Sequence, residues 1–384
     1  MPAYQQMGYQ SDNLLFEPTL SSYAGAILSP VNYSATELVD VSAKARFRGG
    51  YDVIFDPQLY VPRTQQQSLR AWNYFPSDFD SADVATEAWW ASIVDGVVAA
   101  CQPIKPDAIC SPIALPREFN HEYFERVVST GKRLARVLEH EGSRAIQSAT
   151  VGFDYLAHPD RAIATASILS RTTCEEIYVV FVGESTPRRE LDDPEQLKGA
   201  MRLIAALEGA GLRVLVAFAS SDLLLWKLAG ATNCATGKFF NVRRFTRTRF
   251  EEPPSKGGGV VPYWFEESLQ TFLRHSDIER VRRHGMLDGT CASNPYAKEI
   301  LDLLDSTPDA PWLALSWKQF LYWFTHAERR MAAGQINVDA LFETAETCWM
   351  RLSEAKPRVF MEEQSNNGSW VRQWRRAIAE FEHF

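Results

Sequence analysis

The chain has 384 residues, of which 46% are hydrophobic and 23% charged, and its formal net charge is −8. This composition is ordinary for a globular protein and excludes a largely disordered chain. The acidic balance also excludes a protein that binds nucleic acid through its overall charge, so any such contact needs a local basic patch.

Short apolar segments that end in small, polar or acidic residues recur along the chain and predict buried strands. They are apolar throughout rather than alternating, as strands covered on both faces are. The predicted strands are Tyr23–Leu28, Tyr51–Phe55, Ala108–Cys110, Ala145–Phe153, Ile177–Val182, Val214–Phe218 and, more weakly, Thr232–Thr236 and Val260–Trp264.

Helical patterns separate these strands. Residues 120–141 place Tyr123, Phe124 and Val127 along one apolar stripe. Residues 194–207 begin with a proline, which is common at the first position of a helix. Further helices are predicted over residues 81–100 and 159–170.

The alternation of strand and helix over roughly residues 20–290 predicts an α/β fold. About eight repeats favour a TIM-like (β/α)8 barrel, which we place over residues 1–294. An open doubly wound sheet is the alternative, because it needs only about five or six strands. The first predicted strand is not followed by GxGxxG or GxxxxGK[ST], which argues against an open sheet that binds nucleotides.

Residues 295–384 show helical patterns only, over 295–304, 317–333, 338–355 and 369–384. They predict an all-α C-terminal domain that packs on the barrel or on a protein partner. Its tryptophans recur at helical spacing, which is more typical of a core than of a binding surface. They are Trp312, Trp317, Trp323, Trp349, Trp370 and Trp374.

Targeting and redox features point to a cytoplasmic protein. The longest uncharged apolar run is near six residues, whereas a membrane-spanning helix needs about 20. The N-terminus has no basic segment followed by an apolar one, so we expect neither a secretory signal nor membrane contact. The six cysteines are widely spaced, and we expect reduced, mostly buried thiols.

No residue pattern indicates a cofactor or a metal. The seven histidines form neither HExxH nor HxxxH spacing, and no GxSxG sequence is present. We therefore predict no zinc site and no nucleophile elbow. A metal held by scattered acids at the barrel mouth stays open.

Three carboxylates directly follow predicted strands: Asp56, Asp154 and Glu184. In a barrel, the carboxyl ends of the strands form the mouth that carries catalysis. Converging carboxylates repel one another, so at least one pKa rises and the group can supply an acid and a base. We predict these three as catalytic residues. The alternative is that each begins a turn or caps a helix, and Asp56-Pro57 is a common turn sequence.

Residues 238–250 combine five basic side chains and four phenylalanines with no acid. They follow the predicted seventh strand, and barrel loops after strands seven and eight often hold phosphate. Arginine pairs with phosphate through two parallel hydrogen bonds, and aromatic rings stack on bases. Gly257–Gly259 follows as a possible hinge. The predicted phosphate or nucleic-acid site is Lys238, Arg243, Arg244, Arg247 and Arg249. The alternative is a basic surface stretch anchored by its phenylalanines.

The order of these motifs resembles the barrel of tRNA-guanine transglycosylases and their distant relatives. The motifs are Phe55-Asp56, Phe153-Asp154, Phe181-Val182-Gly183 and Asn241-Val242-Arg243-Arg244. The resemblance covers about residues 20–270 and implies that Asp154 recognises a base.

Two departures from this family matter for function. Cys234-Ala235-Thr236-Gly237 stands where the family carries its nucleophilic aspartate, and the clustered zinc-binding cysteines are missing. The resemblance therefore implies either a diverged enzyme or a descendant that only binds.

Two functions are consistent with these observations. The first is a barrel enzyme of glycosyl-transferring or hydrolytic type, which uses carboxylate acid/base chemistry on a phosphorylated small molecule, a nucleoside, RNA or DNA. The second is a non-catalytic barrel scaffold that binds a protein or RNA partner through residues 295–384 and the basic segment. The sequence does not decide between them.

Overall fold

The computed structural model describes residues 3–184, 186–251 and 260–382. Eight parallel strands close into a barrel in sequence order, and the first strand pairs with both the second and the eighth. The strands are β1 (Tyr4–Gln6), β2 (Gly25–Leu28), β3 (Asp52–Phe55), β4 (Ala108–Cys110), β5 (Arg144–Gly152), β6 (Glu176–Val182), β7 (Arg213–Val216) and β8 (Asn233–Thr236). The predicted (β/α)8 barrel is confirmed.

Two strand predictions were wrong. The first barrel strand is β1, which has two buried glutamines among its three residues and therefore lacks an apolar run. The predicted eighth strand at 260–264 is not in the barrel. Instead β9 (Trp264–Glu266) and β10 (Thr271–Leu273) form a separate antiparallel hairpin. Residues 238–250 consequently follow the last barrel strand.

Helices fill the connections and the C-terminal region. They are α1 (Asp12–Leu15), α2 (Ala35–Arg46), α3 (Gln67–Arg70), α4 (Glu87–Cys101), α5 (His121–Leu138), α6 (Phe153–Leu156), α7 (Arg161–Leu169), α8 (Pro194–Gly209), α9 (Leu223–Leu228), α10 (His275–Arg282), α11 (Asp288–Ser293), α12 (Pro295–Ser306), α13 (Leu313–Ala332), α14 (Val338–Glu354) and α15 (Ser369–Glu382).

Local sequence signals explain where the long barrel helices begin. The Asn120 side chain accepts a hydrogen bond from the backbone of Tyr123 at 2.9 Å and caps α5. Asp193 caps α8 in the same way, directly before Pro194 at the first helical position. These helices bury their apolar faces against the strands and fix the loops at the barrel mouth.

The described C-terminal helices pack against the barrel. Glu328 of α13 is fully buried and accepts a hydrogen bond from the backbone of Cys234 in β8 at 3.0 Å. Trp374 of α15 donates to the backbone oxygen of Leu191 at 2.5 Å. Of the six C-terminal tryptophans, all but the half-buried Trp317 are buried. They belong to the core, as their spacing predicts.

Candidate active site

Asp56 lies at the carboxyl end of β3, inside the barrel mouth, and its side chain is only 2% exposed. Its carboxylate accepts hydrogen bonds from the Gln58 backbone at 3.0 Å and from the Tyr60 hydroxyl at 2.9 Å. Burial raises the pKa of Asp56 to about 6, although these hydrogen bonds favour the charged form and oppose the rise. A carboxyl group that titrates near neutral pH is suited to act as acid and as base.

A second tyrosine connects Asp56 to the opposite side of the barrel. The Tyr178 hydroxyl, from β6, lies 3.3 Å from Asp56 Oδ2 and 3.1 Å from Gln6 Oε1 on β1. Its single proton is shared between these two acceptors. Side chains from three strands, β1, β3 and β6, therefore meet around one carboxylate.

Residues 238–251, which we call the cap, cover this carboxylate. The rings of Phe245 and Phe250 are stacked with centroids 5.5 Å apart. Both contact the Tyr60 ring, at 5.1 and 5.0 Å. Thr64 donates a hydrogen bond to the backbone oxygen of Phe250. The cap thus packs aromatic rings against Tyr60, which donates a hydrogen bond to Asp56.

The basic side chains of the cap are directed mainly into the protein. Arg249 donates to the Met7 carbonyl at 3.2 Å, to Ser29 Oγ at 2.9 Å and to Asn32 Oδ1 at 2.6 Å. These contacts attach the cap to the loops that follow β1 and β2. Burial lowers the pKa of the Arg249 guanidinium to about 10, and the negative charge of Asp56 is the largest effect that opposes this shift.

Arg243 and Lys238 are also engaged. Arg243 donates to the carbonyls of Gly237 and Lys238 at 2.9 and 2.8 Å, and its guanidinium lies 3.9 Å from the ring centroid of Phe320. Lys238 donates to the Gln10 carbonyl at 2.7 Å. These cations anchor the cap to its surroundings.

Arg244 lies between two buried carboxylates, at 3.6 Å from Glu190 and 3.5 Å from Asp222. Ser221 donates to Glu190 at 2.9 Å. Burial raises the pKa of Glu190 to about 7 and raises that of Asp222, with Arg244 opposing both shifts. This is a second buried charged cluster at the carboxyl end of the barrel.

The predicted phosphate clamp needs free basic groups, and the structure differs from it in this respect. Only Arg247 is exposed, and it forms no hydrogen bond or ion pair within the described part of the chain. The other four are buried, and each has partners within the protein among neighbouring carbonyls, side-chain oxygens or acids. Gly257–Gly259, the suggested hinge, lies outside the described residues.

The three predicted catalytic acids do not share one environment. Asp154 begins the short helix α6, is exposed, and accepts a hydrogen bond from Gln196 at 2.6 Å. Glu184 is exposed in the loop after β6. All three acids follow their strands, but the side chains of Asp154 and Glu184 face solvent, whereas that of Asp56 is enclosed, so the three do not converge.

Several buried donors near Asp56 lack partners within the described chain. They are Gln6 Nε2, Gln58 Nε2 and Arg249 Nε. Buried polar groups are nearly always paired, so unpaired donors mark places where water or a ligand oxygen binds. The surroundings of Asp56 are therefore suited to a ligand rich in hydrogen-bond acceptors.

Sequence reasoning missed most of Asp56's partners. Tyr178 lies within a predicted strand that is apolar throughout, so the sequence pattern does not show which of its side chains point into the barrel. Tyr60 and Gln58 lie in a loop that carries no motif, and Gln6 lies in the strand that was not predicted. Within the described residues, no group of three His, Cys, Asp or Glu side chains could hold a metal ion.

All six cysteines are unpaired and five are buried, as predicted. None of the helices in the described ranges combines the length and the apolar character that crossing a bilayer requires.

Neither a protein-family model nor a curated protein matches the chain. Among solved structures, the aldolase QR15 is 14% identical, covering 62% of this chain and 89% of that chain, with a TM-score of 0.37. A GH18 chitinase from Pseudoalteromonas aurantia is 9% identical; the match covers 63% of this chain and 95% of the chitinase chain, with a TM-score of 0.38. A D-psicose 3-epimerase is 11% identical; the match covers 68% of this chain and 87% of the epimerase chain, with a TM-score of 0.34. Similarity this distant carries no information about the reaction. The closed eight-stranded topology itself defines a (β/α)8-barrel protein.

Proposed function

We propose that the protein is a barrel enzyme in which Asp56 acts as general acid and base on an uncharged, oxygen-rich small molecule such as a sugar or nucleoside. The observation that carries this proposal is the enclosed Asp56 carboxyl at the carboxyl end of the barrel, with a pKa raised to about 6. Active sites of this fold lie at that end. Tyr60 and Tyr178 hold the carboxyl in one orientation, as proton transfer requires.

The proposed substrate class follows from the charges and donors around Asp56. The unpaired N–H groups of Gln6, Gln58 and Arg249 favour hydroxyl and carbonyl oxygens on the ligand. Phosphate recognition by the cap is not part of this proposal, because Arg243, Arg244 and Arg249 already have internal partners. A phosphate role stays a prediction for Arg247, and base recognition stays one for Asp154.

Substrate entry requires the cap to move. In the described state Asp56 is 2% exposed beneath Phe245 and Phe250. Loops that close over a barrel mouth exclude water and complete a site, and they open to admit substrate. Opening would break polar contacts of the cap, among them the hydrogen bonds from Arg249 to Ser29 and Asn32.

A turnover screen tests the proposed function. The full chain is incubated with nucleosides, their 5′-phosphates and simple sugars, and consumption is followed by mass spectrometry. We expect turnover of at least one neutral compound, reduced about 100-fold or more in Asp56→Asn because general acid-base catalysis contributes that much. Asp40→Asn, a matched change at an exposed aspartate of α2, should retain full turnover. Equal turnover by a folded Asp56→Asn protein would show that Asp56 is not the reacting group.

The scaffold function is the second candidate, and one observation favours it: the protein's own cap fills the barrel mouth. A scaffold would turn over no compound, and none would raise its melting temperature. Light scattering of the full chain with candidate protein or RNA partners would then show association through the C-terminal helices.

A further inference from the structure

A cavity of about 280 Å³ lies among the C-terminal elements and shares no residue with the surroundings of Asp56. The turn between β9 and β10, together with α11, α13 and α14, forms its walls, and Leu224 of α9 adds one more side chain. Much of the lining is apolar, and Trp323, Ile336 and Leu341 contribute to it. A mostly apolar cavity with a few polar groups is the usual form of a small-molecule site.

Two hydrogen-bond acceptors line this cavity. Gln270 is 1% exposed, and its Nε2 donates to the backbone oxygen of Glu267 at 2.7 Å. Its Oε1 is buried and has no partner among the described residues. The Glu267 carboxylate accepts one hydrogen bond, from Ser293 at 2.7 Å, and its pKa is raised to about 7 by burial.

The neighbouring acid, Glu266, shows by contrast that Glu267 is incompletely paired. Glu266 is fully buried and accepts hydrogen bonds from Trp264, from Ser268 and from Thr290 at 2.8 to 3.0 Å. Glu266 therefore has its donors within the protein. By contrast, Glu267 and Gln270 have side-chain oxygen atoms that can accept hydrogen bonds from a bound ligand.

We propose that this cavity binds a small planar organic cation, whose N–H groups donate to Gln270 Oε1 and the Glu267 carboxylate while its apolar body packs beside Trp323. Both free groups are acceptors, which favours a ligand with several N–H donors. The rings of Tyr322 and His326 stack in parallel in the same wall, 5.4 Å apart, and suit a flat ligand. Arg330 also lines the cavity, and its charge opposes the rise in the pKa of Glu267, but its side chain is exposed, so water weakens its repulsion of a cation. This site is independent of the chemistry proposed for Asp56.

Benzamidine is a suitable probe because it joins a flat ring to an amidinium with several N–H donors. Isothermal titration of the full chain should show saturable binding at one site. Glu267→Gln should weaken binding at least tenfold, and Gln270→Met, which keeps the side-chain length but removes the acceptor, severalfold. Glu343→Gln, an exposed change on α14, and Asp56→Asn should leave the affinity unchanged.

An occluding variant and an anionic probe complete the test. A Cβ at Gly289, which lines the cavity, meets no atom within 4 Å, so Gly289→Leu should fold normally and reduce binding by filling the space. Benzoate has the same ring with the opposite charge and should bind at least tenfold more weakly than benzamidine. The proposal is overturned if benzamidine does not bind, if benzoate binds as tightly, or if folded Glu267→Gln and Gly289→Leu bind as the wild type does.

Discussion

Replacing Arg244 with alanine is expected to lower the free energy of unfolding by about 3–5 kcal/mol at pH 8, because the change leaves two buried carboxylates without their cation. Arg244 lies within 3.6 Å of both Glu190 and Asp222. Urea unfolding followed by tryptophan fluorescence measures the loss. The loss should be smaller at pH 5, where Glu190, whose pKa is raised to about 7, is protonated and no longer needs a counter-charge. The raised pKa of Asp222 acts in the same direction.

Arg247→Ala is the matched control for this experiment. Arg247→Ala removes the same charge from the same segment, but this side chain is exposed. The free energy of unfolding should therefore change by no more than about 0.5 kcal/mol. Combining Arg244→Met with Glu190→Gln and Asp222→Asn should recover part of the lost stability, since no unpaired charge is then buried. If Arg244→Ala is as stable as Arg247→Ala, the arginine does not stabilise the buried cluster.

Asp56→Asn is expected to change how stability depends on pH. The pKa of Asp56 in the folded state, about 6, lies above its ordinary value of 3.8. Between these values the folded protein keeps a proton that the unfolded chain releases, so stability falls as pH rises and the full penalty is present above about pH 6. The penalty is about 3 kcal/mol. Asp56→Asn removes this penalty. The free energy of unfolding of the variant, relative to that of the wild type, should therefore rise by about that amount between pH 4 and pH 8.

Taking the difference between variant and wild type isolates Asp56 from other acids. Glu190, Glu267 and Glu328 also have pKa values raised to about 7 by burial, and they lower wild-type stability in the same direction. Their contribution is common to both proteins and cancels. A difference that does not vary with pH would mean that Asp56 titrates normally.

The barrel was predictable because its longer strands are apolar on both faces and end in recognisable turns. Residues 177–182 and 214–216 show this pattern and form β6 and β7. The sequence did not predict β1 because this strand has only three residues, and two of them are buried glutamines. The apolar residues near 264 formed a hairpin instead, since apolar character alone does not specify which sheet a strand joins.

Asp56 was identified from its position after a strand, but the same criterion also selected Asp154 and Glu184, which are exposed. The position of a residue directly after a strand determines at which end of the barrel it lies. The direction of its side chain depends on the turn that follows. Local sequence does not contain that information.

The cap shows a second limit of local sequence. Its five basic residues are typical of a solvated anion-binding surface. Their partners, including Glu190, Asp222 and Asn32, are distant in sequence and come together only in the folded barrel. Long-range pairing of this kind leaves no signal in the segment itself.

The most direct measurement is the titration of the Asp56 carboxyl in the intact protein. Carbon-13 labelling of aspartate side chains, with Asp56→Asn to assign the resonance, follows the carboxyl from pH 3 to pH 8 by NMR. A carboxyl enclosed beneath the cap should titrate near pH 6. In Phe245→Ala/Phe250→Ala, which opens the cap, the midpoint should move down toward the ordinary value of 3.8. A wild-type midpoint near 4, unchanged in the opened variant, would contradict both the enclosure of Asp56 and its proposed role as acid and base.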